Sequence, residues 1–266
     1  MALEVFRREM LDHRRALVAW CVGIAAYVGL IAAIFPSIHG SIQFDRLVAS
    51  YPDALKALFG LQGGSITTGA GYLDVELFSL MLPLLVLVLA IGAGARTFAG
   101  EEEAGRLELA LSYPVRRSSV VLWKGAAVAM EVLVASLAAG VAIVVLDPVA
   151  GLDLSIAHVT EAILALAVLG IFFGWTALAA GAAFPSRALA IGVPAGVAAA
   201  GYLVGGLHSL AAWLDPFRFV SPFWLVGTGP LRNGADPVGL AVVAAVAVGV
   251  LLIGAWRVER RDLQTP

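Results

Sequence analysis

Six runs of nearly unbroken apolar side chains, at 16–35, 77–95, 120–146, 156–184, 188–214 and 238–256, divide this chain of 266 residues. About 20 apolar residues wound as a helix cross a hydrocarbon layer roughly 30 Å thick, and every run is near or beyond that length. A strand of a membrane β-barrel would alternate apolar and polar residues over about 10 positions, and these runs do not alternate. A lipid-exposed backbone must satisfy its own hydrogen bonds, so continuous runs of this kind leave the helix as the consistent solution. Composition agrees: 61% of residues are hydrophobic and 14% charged, against roughly 45–50% and about 25% in ordinary soluble domains. The expected fold is an all-α membrane protein with six transmembrane helices in a single domain covering 1–266.

The orientation follows from the basic residues. An even number of spans puts both termini on one side, and 13 of the 17 Lys and Arg residues fall on that side, including Arg7, Arg8, Arg14, Arg15, Arg96, Arg106, Arg116, Arg117, Lys124 and Arg187. Arg46, Lys56, Arg218 and Arg232 fall on the other. The positive-inside bias then places both termini in the cytoplasm, and the expected location is the cell membrane, a bacterial or archaeal plasma membrane, as a multi-pass protein. The first apolar run is too long for a typical cleaved signal, and we read it as a retained span. The net charge of −2 says little about partners, and with no basic patch visible no nucleic-acid partner is expected. A single cysteine, Cys21, excludes an intrachain disulfide and a thiolate zinc cage.

Outside the spans, residues 3–15 place Leu3, Phe6, Met10 and Leu17 on one stripe, with Arg7, Arg8, Asp12, Arg14 and Arg15 mostly off it. This predicts an amphipathic helix lying at the inner membrane surface. On the outer side, Pro52 followed by Asp53, Leu55, Leu58 and Phe59 predicts a short helix. The last outer loop, 215–237, carries Pro216, Phe217, Phe219, Pro222, Phe223, Trp224 and Pro230, which suits an interfacial or re-entrant segment. Pro83 and Pro194 should kink the second and fifth spans. Glycine pairs four residues apart, Gly170/Gly174, Gly192/Gly196 and Gly201/Gly205, permit close helix approach.

The one long charged stretch lies between the second and third spans. Gly100 can end the second span, Glu101, Glu102 and Glu103 then occupy the first turn of a new helix where the helix dipole favours negative charge, and Ala104, Leu107 and Leu111 share a face. Pro114 stops that helix and Ser118 or Ser119 can cap the third span. On periodicity alone a linker helix on the membrane surface is the ordinary reading, and docking to a soluble partner the alternative.

Here the sequence resembles a family. Glu103-Ala-Gly105-Arg-Leu107-Glu108-Leu109-Ala-Leu111-Ser112-Tyr-Pro114-Val115-Arg-Arg117, with Lys124 opening the next span, is similar to the loop between the second and third helices of type-2 ATP-binding-cassette (ABC) transporter permeases. Ser221-Pro222-Phe223 in the last outer loop and Arg260-Arg261-Asp262-Leu263 after the sixth span agree with it, so the resemblance covers the whole chain. Three positions depart: Arg106 stands where a small hydroxyl residue is usual, Arg116 where Ser is common and Trp123 where Gly often precedes the lysine. The resemblance implies a cytoplasmic coupling helix in this loop, seated in a cleft of a separate ATPase subunit. The implied docking residues are Glu101, Glu102, Glu103, Gly105, Arg106, Leu107, Leu111 and Arg117, which the helix at 3–15 could join. It also implies a second permease as partner, in a homodimer or heterodimer, and export of a hydrophobic or amphipathic compound. Both lysines, Lys56 and Lys124, lack a preceding glycine, so the chain has no phosphate-binding loop. No cofactor is expected in this chain, and ATP and Mg belong to the partner ATPase.

Two acidic residues inside the spans are candidates for other roles. Glu131 lies seven residues past Lys124, about two turns into the membrane, where an unpaired acid costs roughly 2.5–3.5 kcal/mol. A structural ion pair is the simpler reading, and a role in substrate passage the alternative. Glu161 can share a helix face with His158 near the outer surface; interfacial polarity explains the pair, and no metal is expected. Asp74 and Glu76 are read as exposed residues marking the outer interface. A proton-coupled secondary transporter using Glu131 and Glu161, or a non-transporting membrane scaffold, are the rival functions. No general acid–base pair, serine nucleophile or metalloprotease spacing points to an enzyme.

Overall fold

The computed structural model describes residues 2–61, 66–103, 117–184 and 186–260, and the described residues are helical throughout apart from turns and short connections. Six helices are long and apolar enough to cross a membrane. The first is Ala2–Ile34, the second Gly69–Glu103, the third Arg117–Ala150, the fourth Ile156–Ala183, the fifth Arg187–Leu207 and the sixth Pro237–Arg260.

The fourth span is the axis of the bundle. It packs against the second, third, fifth and sixth, and 72% of its apolar window is buried against 11% for the fifth. Small residues explain why. A Cβ placed on Gly94 of the second span would stand 2.2 Å from the carbonyl oxygen of Gly174, and one on Gly170 would stand 2.6 Å from Val86 and 2.7 Å from Val132. In a bilayer the lipid tails are as apolar as the helix faces, so close van der Waals packing and polar ties hold helices together where water exclusion does not. The expected pair Gly170/Gly174 therefore packs within the chain. Gly201 and Gly205 face Pro222, Phe223 and Ser221, whereas Gly192 and Gly196 have no atom within 4 Å of an added Cβ.

Three elements differ from the sequence-based expectation. Residues 3–15 do not form a separate surface helix: the helix from Ala2 runs unbroken through the first span to Ile34, because neither Gly nor Pro interrupts it before Gly23. The fifth helix ends at Leu207, short of the expected 214; Gly205 and Gly206 weaken its last turn, and the polar His208 reaches Asp215 at 3.2 Å. The second span is longer than 77–95 and is not a uniform α-helix. It contains two π-helical segments, Asp74–Phe78 and Arg96–Gly100, on either side of the α-helical stretch Met81–Ala95. The backbone breaks at Leu80, whose φ is −143°. Pro83 accounts for this, since its ring disfavours an α-conformation in the turn before it. Pro194, by contrast, leaves the fifth helix continuous.

The connections at the end away from residues 103 and 117 are short helices. Asp53–Leu58 follows Pro52 as expected. After the fifth span come a 3-10 turn, Asp215–Val220, and two single-turn helices, Pro222–Leu225 and Pro230–Asn233, each with Pro in its first turn where a missing N–H costs nothing. Trp213, Phe217 and Phe219 remain exposed on this connection.

Candidate functional site

Polar side chains in this bundle gather at its two ends. At the end carrying residues 103 and 117, the centre of the arrangement is Lys124, about two turns into the third span and 2% exposed. An ammonium has three N–H donors, and Lys124 Nζ has three acceptors: Glu9 Oε1 of the first span at 2.7 Å, Glu101 Oε2 at 2.8 Å and the Thr97 carbonyl oxygen at 2.6 Å, both in the second. A buried charge is tolerated only when paired and hydrogen-bonded in this way. One lysine thus ties three helices at a single point.

Further ties surround it. Thr97 Oγ1 donates to the carbonyls of Ala93 and Gly94 at 2.6 and 3.0 Å. The Glu9 carboxylate lies 3.7 Å from His13 Nδ1 one turn on. Arg96 Nη2 reaches Glu131 Oε2 at 3.4 Å, so the acid deepest in the third span has a cationic partner on the second. Glu103 Oε1 accepts the backbone N–H of Arg187 at 2.9 Å, filling an open donor at the start of the fifth helix. Ser118 Oγ donates to Glu259 Oε1 at 2.5 Å, joining the start of the third helix to the end of the sixth. Trp175 Nε1 donates to the Gly125 carbonyl at 2.8 Å, adding the fourth. All six spans are therefore connected around the point where the chain leaves the second helix and enters the third.

The opposite end has its own fastening. Asp74, in the first π-helical segment, is 3% exposed. Its carboxylate accepts from the backbone N–H of Leu231 and Arg232 and from Arg232 Nε, at 2.9, 3.2 and 2.9 Å. Arg232 also donates to the Gly60 carbonyl at 3.3 Å. Beside it, His158 Nδ1 bonds the Leu231 carbonyl at 2.9 Å and Glu161 Oε2 accepts the Ala235 N–H at 3.1 Å. A cavity of about 110 Å³ lies against this fastening, with Phe78, Pro83, Leu166, Tyr202 and Phe223 among its lining. Among the described residues no group of three or more His, Cys, Asp or Glu side chains is placed to hold a metal ion.

The sequence matches the family described as ABC-2 family transporter protein over residues 3–263. The chain belongs to that family. None of the curated proteins matches it. With its six apolar helices, this ABC-2 transporter protein is a multi-pass membrane protein and the permease component of an ABC transporter, a part that carries no catalytic function itself.

Within the permease, the residues expected to dock a partner separate into three groups. Gly105, Arg106, Leu107 and Leu111 lie in 104–116, outside the described residues. Glu101 and Glu103 point back into the permease, onto Lys124 and the Arg187 N–H. Glu102 and Arg117 flank the loop with intermediate exposure. The two intramembrane candidates are not brought together: Glu131 lies deep in the third span against Arg96, and Glu161 near the start of the fourth accepts the Ala235 N–H. Asp74 corrects the sequence reading, since it is buried and paired where exposure was expected.

Sequence reasoning also missed Glu9 and the burial of Lys124. The available signal was position: a lysine four residues inside an apolar run, with the nearest unassigned carboxylates in helices distant in sequence. Periodicity identifies the face of a single helix and does not reveal which face of another helix meets it.

Proposed function

We propose that this permease moves a hydrophobic or amphipathic compound out across the cell membrane, driven by ATP hydrolysis in separate ABC ATPase subunits that dock on 104–116. Membership of the ABC-2 family implies such subunits. The observation that carries the reading is the set of ties around the base of that loop: a push on 104–116 meets a frame joined to every span and not a single free hairpin. The excess of basic residues at this end supports a cytoplasmic orientation. ATP and Mg would be held by the partner, and the docking surface would comprise Glu102, Gly105, Arg106, Leu107, Leu111 and Arg117, framed by Glu101 and Glu103.

The working unit is a pair of permeases with two ATPases. The thinly covered fifth span, with the open faces of Gly192 and Gly196, supports a second copy or a similar permease as neighbour. Because Glu131 and Glu161 are both engaged by donors within the chain, structural roles are favoured over a proton relay.

Affinity purification of the tagged permease from its native membranes tests the docking. An ATP-hydrolysing subunit co-elutes in roughly equal amount and hydrolyses ATP in the purified complex. Purification of the permease without any nucleotide-binding partner, under conditions that preserve its fold, would overturn the reading.

A further inference from the structure

The second span is the helix that runs directly into 104–116, and it is interrupted at both ends by a π-helical segment. Asp74 and Arg96, the first residues of the two segments, are 22 positions apart, which corresponds to about 33 Å of helix rise and brackets the hydrocarbon layer. A π-turn holds one more residue than the α-turn it replaces. If it relaxes to an α-turn, everything beyond it shifts by about one residue, near 1.5 Å and about 100° of rotation. An unsupported π-turn is therefore a soft joint, and a push entering at Glu103 would be absorbed there.

The segment Arg96–Gly100 is not unsupported. Its Thr97 carbonyl accepts from Lys124 Nζ at 2.6 Å, outside the backbone ladder of the helix, and Glu101, one residue beyond the segment, is held by the same ammonium at 2.8 Å. Lys124 thus grips the joint on its inner turn and on its exit. The third ligand, Glu9 Oε1 at 2.7 Å, fixes this grip to the first span, and Arg96 at the start of the segment is held to Glu131 of the third.

We propose that Lys124 is the positioning residue of the transport stroke: it locks the π-turn Arg96–Gly100 so that displacement of 104–116 passes along the second span to Met81–Ala95. The inference rests on the docking reading above and adds the path by which the push travels. Lys124 touches neither nucleotide nor cargo and acts through the backbone of Thr97 and the carboxylate of Glu101.

Spin-label distances test it in the purified complex of permease and ATPase, reconstituted in lipid. In a Cys21→Ala background, labels on Leu84→Cys of the second span and Val242→Cys of the sixth, both exposed positions, report the distance with ADP and after trapping with ATP and vanadate. The wild-type distance changes on trapping; Lys124→Gln loses at least half of that change while the ATPase still co-elutes and hydrolyses ATP; Lys124→Arg, which retains the charge, restores it in part. A full change in Lys124→Gln overturns the proposal, as does a loss in Lys124→Arg equal to that in Lys124→Gln, which would indicate packing alone. If Lys124→Gln does not insert, the charge-balanced pair Glu9→Gln/Lys124→Met is read by the same criteria. A wild-type permease with no ATPase partner overturns the docking reading and this proposal together, whereas a docked complex without the distance change overturns this proposal only.

Discussion

Asp74 and Arg232, 158 positions apart in sequence, meet through a carboxylate and a guanidinium nitrogen at 2.9 Å. The contact closes the end of the bundle remote from 104–116. Removing one partner of a buried pair strands the other charge, at a cost of about 3–5 kcal/mol. Asp74→Asn or Arg232→Gln should therefore lower the thermal unfolding temperature of the detergent-solubilised permease clearly. The double variant should be less destabilised than the two single effects summed, because each single change already breaks the shared contact. Additive losses in a thermal-shift cycle would show that the pair contributes nothing as a pair.

Gly94 and Gly92 provide an internal comparison on one helix. A Cβ on Gly94 would stand 2.2 Å from the Gly174 carbonyl oxygen, while one on Gly92 meets nothing within 4 Å. Gly94→Ala should force the second and fourth spans apart and cost about 1–3 kcal/mol. Gly92→Ala should be neutral or slightly stabilising, since alanine is the better helix former by about 1 kcal/mol. Unfolding midpoints of the two variants, measured side by side, check the difference.

The contrast between these glycines also marks what the sequence could show. Six spans were legible because each apolar run is near or beyond the length a bilayer requires, and the short helix after Pro52 because Pro stands just before it and Asp53 opens its first turn. The close packing of Gly170 and Gly174 was legible as a possibility. Nothing in the spacing distinguishes that pair from Gly192 and Gly196, where an added Cβ would meet no atom of another described element within 4 Å. Asp74 was misjudged for a related reason. Position near a span end suggests exposure, and the residues that cover it, Leu231 and Arg232, lie in a connection whose return onto the second span is a tertiary event. The π-helical segments, DVELF and RTFAG, sit at the polar ends of the second span, where too few apolar positions remain on either side for one extra residue to show as a shift in the pattern.

The docking face should fail selectively. Leu107→Asp or Gly105→Trp should insert normally, yet the co-eluting ATPase should fall severalfold or its hydrolysis should no longer drive transport. Affinity purification followed by ATPase measurement reads this directly. Wild-type recovery and coupling in both variants would remove 104–116 from the docking surface.

Glu131→Gln separates a structural acid from a proton carrier. Loss of the Arg96 contact, 3.4 Å long and on a partner about one third exposed, should cost about 1–2 kcal/mol. ATP hydrolysis by the complex should keep its wild-type pH profile. A shifted profile across pH 5–8 would instead assign Glu131 a titrating role in the cycle.

The first helix, unbroken over 33 residues, acts as a rod about 50 Å long. Glu9 lies 26 positions before Phe35, so a tilt of about 5° pivoted at Phe35 would swing it through about 3 Å. A stretch of that size would take the 2.7 Å bond to Lys124 past hydrogen-bonding distance unless the lysine follows. Through Lys124, which holds Glu9 and Glu101 together, a lean of several degrees in the first span draws the neck of the loop along with it or breaks the tie.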